Sequence, residues 1–171
     1  LDMARIESGK VKVDENYERV GEVVDEIIST FSSEAEEKGI HLSGSMKVTH
    51  RDVLCDGTKI REIFVNLVSN AIKYTPRGGN VTITVEELPC EKEGYMKIKS
   101  EIKDTGIGMS KEYLPTLFEP FSREQNTATG KVRGTGLGMP IVKKMVDLMG
   151  GSLEVESELG KGSRFVMRLK A

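Results

Sequence analysis

The sequence predicts an α+β fold: a two-layer sandwich in which a mixed, mainly antiparallel sheet packs on three helices. Three observations carry that prediction. Three segments place apolar residues at helical spacing and end on glycine or proline. Further segments alternate with period two and pair across short connections. The 171-residue length suits one main domain, and 37% hydrophobic with 30% charged residues is ordinary for a globular chain.

The elements follow in order. Leu1 to Ser8 reads as the last turns of a helix stopped by Gly9, and Lys10 to Asp14 as an extended connector. A helix is expected from Tyr17 to Lys38, with Val20, Val23, Val24, Ile27, Ile28 and Phe31 on one face and Gly39 as its cap. Ile40–Ser45 and Val53–Cys55 are strand candidates. The second helix runs from Gly57 to Tyr74, with Asp56 as N-cap and Pro76 beyond its end. Asn80–Leu88 and Tyr95–Lys103 alternate and form an antiparallel pair. Between Asp104 and Gly136 periodicity fades and glycines gather. The third helix spans Leu137–Met149, and Ser152–Ser157 with Ser163–Leu169 closes the chain as a hairpin around Gly160 and Gly162.

Composition excludes several classes. With 25 basic and 27 acidic residues, the chain has no electrostatic footprint for nucleic acid or an anionic membrane. No apolar run is long enough to span a bilayer. Cys55 and Cys90 make no disulfide framework and too few ligands for a structural zinc. A start at Leu1, without methionine or leader, reads as an excised piece of a longer protein. Two counts remain: 18 glycines, above the usual share, and only two histidines, the commonest general base.

Four stretches have the right residue types for chemistry. On the second helix, Ile60, Ile63, Phe64, Leu67, Val68 and Ala71 fall on one arc, and Lys59, Glu62, Asn66, Asn70 and Lys73 on the opposite one. A solvated face would explain that polar stripe. Mid-helix asparagine is a poor helix former, however, and two of them one turn apart ahead of a lysine would suit a phosphate-bound Mg²⁺. Asp104-Thr105-Gly106-Ile107-Gly108-Met109 follows a strand. It is either a tight turn or a carboxylate placed for an exocyclic amine, with glycines that let backbone approach a ring. Gly134-Thr135-Gly136-Leu137-Gly138-Met139 opens the third helix, whose N-terminal amides suit phosphate oxygens. Met139 stands where a Rossmann fingerprint needs glycine, and no P-loop motif is present. Phe118 and Phe121 are expected to anchor a small cluster, while polar Gln125–Arg133 resembles a mobile lid. Arg123, Lys131 and Arg133 could reach phosphates from it. His41, His50 and Cys55 fit structural roles.

Taken in order, the Asn66/Asn70 helix, Asp104–Met109, Phe118–Phe121 and Gly134–Met139 resemble the boxes of the sensor histidine kinase ATP-binding domain. That domain shares its Bergerat-type fold with gyrase-type, chaperone and mismatch-repair ATPases. The resemblance spans Tyr17 to Leu169, and the opening residues resemble the end of a dimerisation and phosphoacceptor helix. It implies two parts: residues 1–14 as the end of that helix with its linker, and residues 15–171 as the catalytic domain with a mobile ATP lid.

The resemblance also implies roles. Asp104 would bind the adenine amine, in a pocket shaped by Gly106 and Gly108. Asn66 and Asn70 would hold Mg²⁺, Lys73 would contact phosphate, and Tyr74 would flank the nucleotide. Arg123 would be the lid cation at the γ-phosphate. Gly134, Gly136 and Gly138, with Leu137 among them, would hinge the lid and present amides to ATP. Hydrolysing members carry a glutamate base four residues before the magnesium asparagine, and here that position is Asn66. Asn66 cannot take a proton from water, so transfer to a protein acceptor is expected instead, with Asn66, Lys73 and Arg123 as the catalytic set. The acceptor histidine would lie upstream, so autophosphorylation of this chain alone is not expected. Implied partners are that dimerisation and phosphoacceptor domain and a response regulator, with a cytoplasmic location and no direct membrane contact. A kinase or ATPase of another branch of the fold, or a binding module without transfer activity, is the alternative.

Overall fold

A computed structural model of the chain describes residues 4–5, 8–120 and 138–171. Strands are β1 (Asn16–Arg19), β2 (His41–Lys47), β3 (Asp52–Cys55), β4 (Asn80–Leu88), β5 (Lys97–Asp104), β6 (Ser152–Glu158) and β7 (Gly162–Lys170). Helices are α1 (Val23–Lys38), α2 (Gly57–Tyr74) and α3 (Gly138–Leu148). The main sheet runs β2-β4-β5-β7-β6, and every neighbouring pair is antiparallel except β2 with β4.

Strand alternation sorts the sheet into two faces. Val81, Ile83 and Val85 of β4, Ile98 and Ile102 of β5, and Phe165, Met167 and Leu169 of β7 are buried on the inner face. Against it pack Ile63, Leu67 and Val68 of α2, Val142, Met145 and Val146 of α3, and Val24, Ile27 and Phe31 of α1. The outer face is charged and cross-linked. Arg164 reaches Glu101 at 3.0 Å and Glu156 at 3.2 Å, and Arg168 reaches Glu154 at 3.1 Å. Val166 points the same way between Glu101 and Glu154 yet is buried, because the long charged side chains around it cover it with their stems.

The helix ends follow local chemistry. Gly39 closes α1 in the left-handed conformation at φ +73°, and its amide and that of Ile40 bond back to the last turn. Asp56 Oδ1 accepts the Lys59 amide at 3.0 Å and caps α2. At the other end of α2, Lys38 Nζ donates to the carbonyls of Ile72 and Lys73 at 2.6 and 2.7 Å. Burial pushes the Lys38 ammonium below its ordinary pKa, with Glu34 opposing.

Two expectations are corrected. The helix expected from Tyr17 starts only at Val23: Asn16–Arg19 is a strand paired with β3, and Val20–Glu22 is a 3₁₀ turn. Backbone pairing with a partner more than thirty residues away overrides a helical period to which Tyr17, 78% exposed, never contributed. Lys59, on the arc that a solvated face would explain, is instead buried, because the chain before β1 lies over it. Cys55 is buried as expected, and burial, with Glu18 nearby, pushes its thiol up to about 11. His50 is tied to Glu87, ring nitrogen to carboxylate, at 2.7 Å.

Candidate functional site

At the end of β5, Asp104 continues the inward-facing series of Ile98 and Ile102, so the strand carries a carboxylate into the interior. It is 6% exposed. Its Oδ1 accepts the amides of Gly106 at 2.8 Å and Ser163 at 3.3 Å. Oδ2 has no partner among the described residues. Burial raises the carboxyl above its ordinary pKa, and the two amides pull it part of the way back. A buried oxygen without a donor is costly to keep, which marks a place for an incoming N–H.

The segment after Asp104 is threaded between α2 and the β6–β7 turn. Ile107 N donates to Tyr74 O at 3.0 Å, Gly160 N donates to Ile107 O at 2.7 Å, and Met109 N donates to Ser157 Oγ at 2.8 Å. Tyr74, Gly106, Gly108 and Asp104 therefore form one cluster. A Cβ on Gly106 would stand 2.5 Å from Tyr74 O and 2.7 Å from Asp104 Oδ1. One on Gly108, whose φ is +70°, would strike the Glu158 carbonyl. At both positions a Cβ would meet the protein's own backbone, joined at Gly106 by the Asp104 carboxylate.

Along α2, Asn66 Nδ2 donates to Glu62 O at 2.9 Å, and its Oδ1 accepts no hydrogen bond among the described residues. That oxygen lies 3.4 Å from where a Cβ on Gly138 would stand, so the first residue of α3 meets the stripe at Asn66. One turn on, Asn70 is half-buried and makes no side-chain hydrogen bond among the described residues, and Lys73 is exposed in the last turn. No cluster of three or more His, Cys, Asp or Glu side chains that could hold a metal occurs among the described residues. Two amide oxygens are the donor set available here, and they fit an Mg²⁺ that takes its remaining ligands from phosphates and water. Arg123, Gly134, Gly136, Leu137, Phe121 and the expected lid lie outside the described residues.

Two residues escaped the sequence reading. Gly162, at φ +116°, has no room for a Cβ because the Asp104 carbonyl lies against it, and Ser163 supplies an amide to the Asp104 carboxylate. The hairpin pattern hid both, although a glycine inside a strand run is itself a sign of close backbone approach.

This fold and cluster place the chain in a known class. The profile of the histidine kinase-, DNA gyrase B- and HSP90-like ATPases matches residues 55–171, and the chain belongs to that family. Within it, the similarity lies with kinases of sensory systems. The chain is 35% identical, over 99% of its length, to autoinducer 2 sensor kinase/phosphatase LuxQ of Vibrio cholerae, of which it covers 20%. It is 34% identical, again over 99%, to histidine protein kinase DivJ of Caulobacter vibrioides, of which it covers 27%. The chain thus spans between a fifth and just over a quarter of these relatives. Its fold matches full-length ShkA solved with AMPPNP at TM-score 0.81 and 25% identity, covering 97% of this chain and 33% of that one. It matches the catalytic domain of histidine kinase ThkA at TM-score 0.74 and 25% identity, covering 91% and 95%. The domain is of the histidine kinase catalytic type. No helix among the described residues is long and apolar enough to cross a membrane.

Proposed function

We propose that this chain binds Mg-ATP as the catalytic domain of a sensor histidine kinase and delivers the γ-phosphoryl group to a histidine on a helical dimerisation domain elsewhere in the protein. Residues 15–171 would be that domain and residues 1–14 the approach to it. A response regulator would receive the phosphoryl group next. One observation carries the reading: Asp104 is buried, with two amides on Oδ1 and no partner for Oδ2 among the described residues, at the strand end where an adenine amine would be received.

The roles follow from the side chains available. Asn66 and Asn70 offer amide oxygens to Mg²⁺, which when bound neutralises phosphate charge. Lys73 and Arg123 are the cations for the phosphates, Tyr74 borders the nucleotide, and Gly134, Gly136 and Gly138 with Leu137 frame the lid and its amides. In the transfer, an imidazole nitrogen attacks the γ-phosphorus, and the bond to the β–γ bridging oxygen breaks as ADP departs. Asn66 supplies no base for water, so hydrolysis stays slow and the chain's contribution is positioning and charge neutralisation.

The test is thermal unfolding with and without Mg²⁺ and a nonhydrolysable ATP analogue. At a hundred times the dissociation constant, binding adds about 2.7 kcal/mol, a rise of roughly 5–10 °C for a domain of this size. Asp104→Asn should lose most of the rise. A wild-type chain that does not shift, or a variant that shifts equally, overturns the assignment.

A further inference from the structure

The first turn of α2 holds a buried ion pair with no part in the nucleotide cluster. Lys59 Nζ lies 2.7 Å from Asp56 Oδ2, with side-chain exposures of 8% and 2%. Both groups also bond the chain that precedes β1. Asp56 Oδ2 also accepts the amide of Asp14 at 2.8 Å, and Lys59 Nζ also donates to the carbonyl of Lys12 at 2.7 Å. Val11 is buried, and Val13 lines a pocket of mixed character with Leu54, Ile60 and Leu148. Polar groups thus grip residues 12–14 by main-chain atoms, while Val11 and Val13 seat them.

Burying two charges is an inefficient way to add stability, since desolvation consumes most of the attraction, whereas it does specify one geometry. What it specifies here is a direction. Lys59, Asn66, Asn70 and Lys73 lie on one arc of α2, and Lys59 precedes Asn66 by about 10 Å along the axis. The connector therefore reaches the domain on the helix face that further along presents the two asparagines. We infer that Asp56 and Lys59 are positioning residues, which clamp residues 12–14 onto α2 and set the line along which the segment ahead of Lys10 approaches the Asn66–Asn70 face. The clamp itself stands on its hydrogen bonds; its effect on transfer rests on the function proposed above.

The two claims separate experimentally. In the 171-residue chain, hydrogen exchange should show the Asp14 amide protected, and Lys59→Met should speed its exchange about tenfold or more while the middle of α2 stays protected. Lys59→Arg should restore protection. Asp14→Pro removes the gripped N–H but keeps both charged side chains of the buried pair, so it guards against a Lys59 variant that merely unfolds. In the full-length protein, Lys59→Met and Asp14→Pro should each lower kcat for phosphorylation of the histidine by about tenfold or more at unchanged KM for ATP. Protection at 12–14 that survives Lys59→Met, or that disappears together with protection throughout α2, overturns the clamp. An unaltered kcat in both variants overturns the positioning role. Failure of the wild-type chain to bind the ATP analogue would strike the proposed function and leave the exchange result standing.

Discussion

The two ends of α2 carry polar side chains on the same arc and use them in opposite ways. At its start, Asp56 and Lys59 are buried, and both carboxylate oxygens and the ammonium are bonded within the chain. From its middle onward, among the described residues, the Asn66 oxygen accepts no hydrogen bond and Asn70 makes no side-chain hydrogen bond, while Lys73 is exposed. A polar group satisfied internally is structural. A partly buried polar group left open, beside a glycine that makes room, is reserved for something that arrives. Asp104 unites both conditions, with one oxygen bonded and the other open.

The sharpest way to break this contrast is to remove each end in turn. Asp56→Ala deletes the cap and leaves the Lys59 ammonium buried beside no carboxylate, so urea unfolding should show a loss of about 3–5 kcal/mol. A loss below about 1 kcal/mol would mean that the start of the helix is no more structural than an exposed pair. Asn70→Ala should do the reverse: stability without ligand within about 0.5 kcal/mol of wild type, but no Mg²⁺-dependent rise in Tm with the ATP analogue. If instead the apo protein collapses, Asn70 belongs with the structural end.

The smallest effect lies away from α2. Burial acts to raise the Glu87 carboxyl, but the Thr49 hydroxyl and amide, with the His50 ring and amide, hold it down at about 2. A folded-state pKa below the ordinary value of 4.5 means that the unfolded chain binds the proton first as pH falls. The contribution is therefore complete above about 4.5 and lost progressively toward about 2. Glu87→Gln should flatten that part of the stability profile, measured by urea midpoints at pH 5, 3 and 2. An identical slope in the variant would show that the Thr49–His50 cluster contributes nothing there.

The helix α2 was legible in the sequence because its cues are local: a capping aspartate, an apolar arc, a proline beyond the end. Asp104 was legible because a carboxylate directly after a strand precedes a pair of closely spaced glycines. What escaped depends on distant partners. Asn16–Arg19 is a strand only because β3 is there to pair with it. Lys59 is buried only because the connector crosses it, and periodicity cannot distinguish an arc covered by solvent from one covered by chain. Gly106 and Gly108 were recognisable as close-approach positions, but only the packing shows that the Tyr74 and Glu158 backbones are what approach them.

The amide that Ser163 lends to Asp104 comes from 59 residues along the chain. No hairpin or helix–turn unit contains both, so the carboxylate gains its final orientation only when β7 docks on β5, a pairing that encloses everything from Thr105 to Gly162. Closing so large a loop is entropically slow, and local elements must form first. The site therefore has no local precursor during folding. A nascent chain that lacks its last strand would lack this arrangement of Asp104, which makes nucleotide capture a late event that reports completion of the whole sheet.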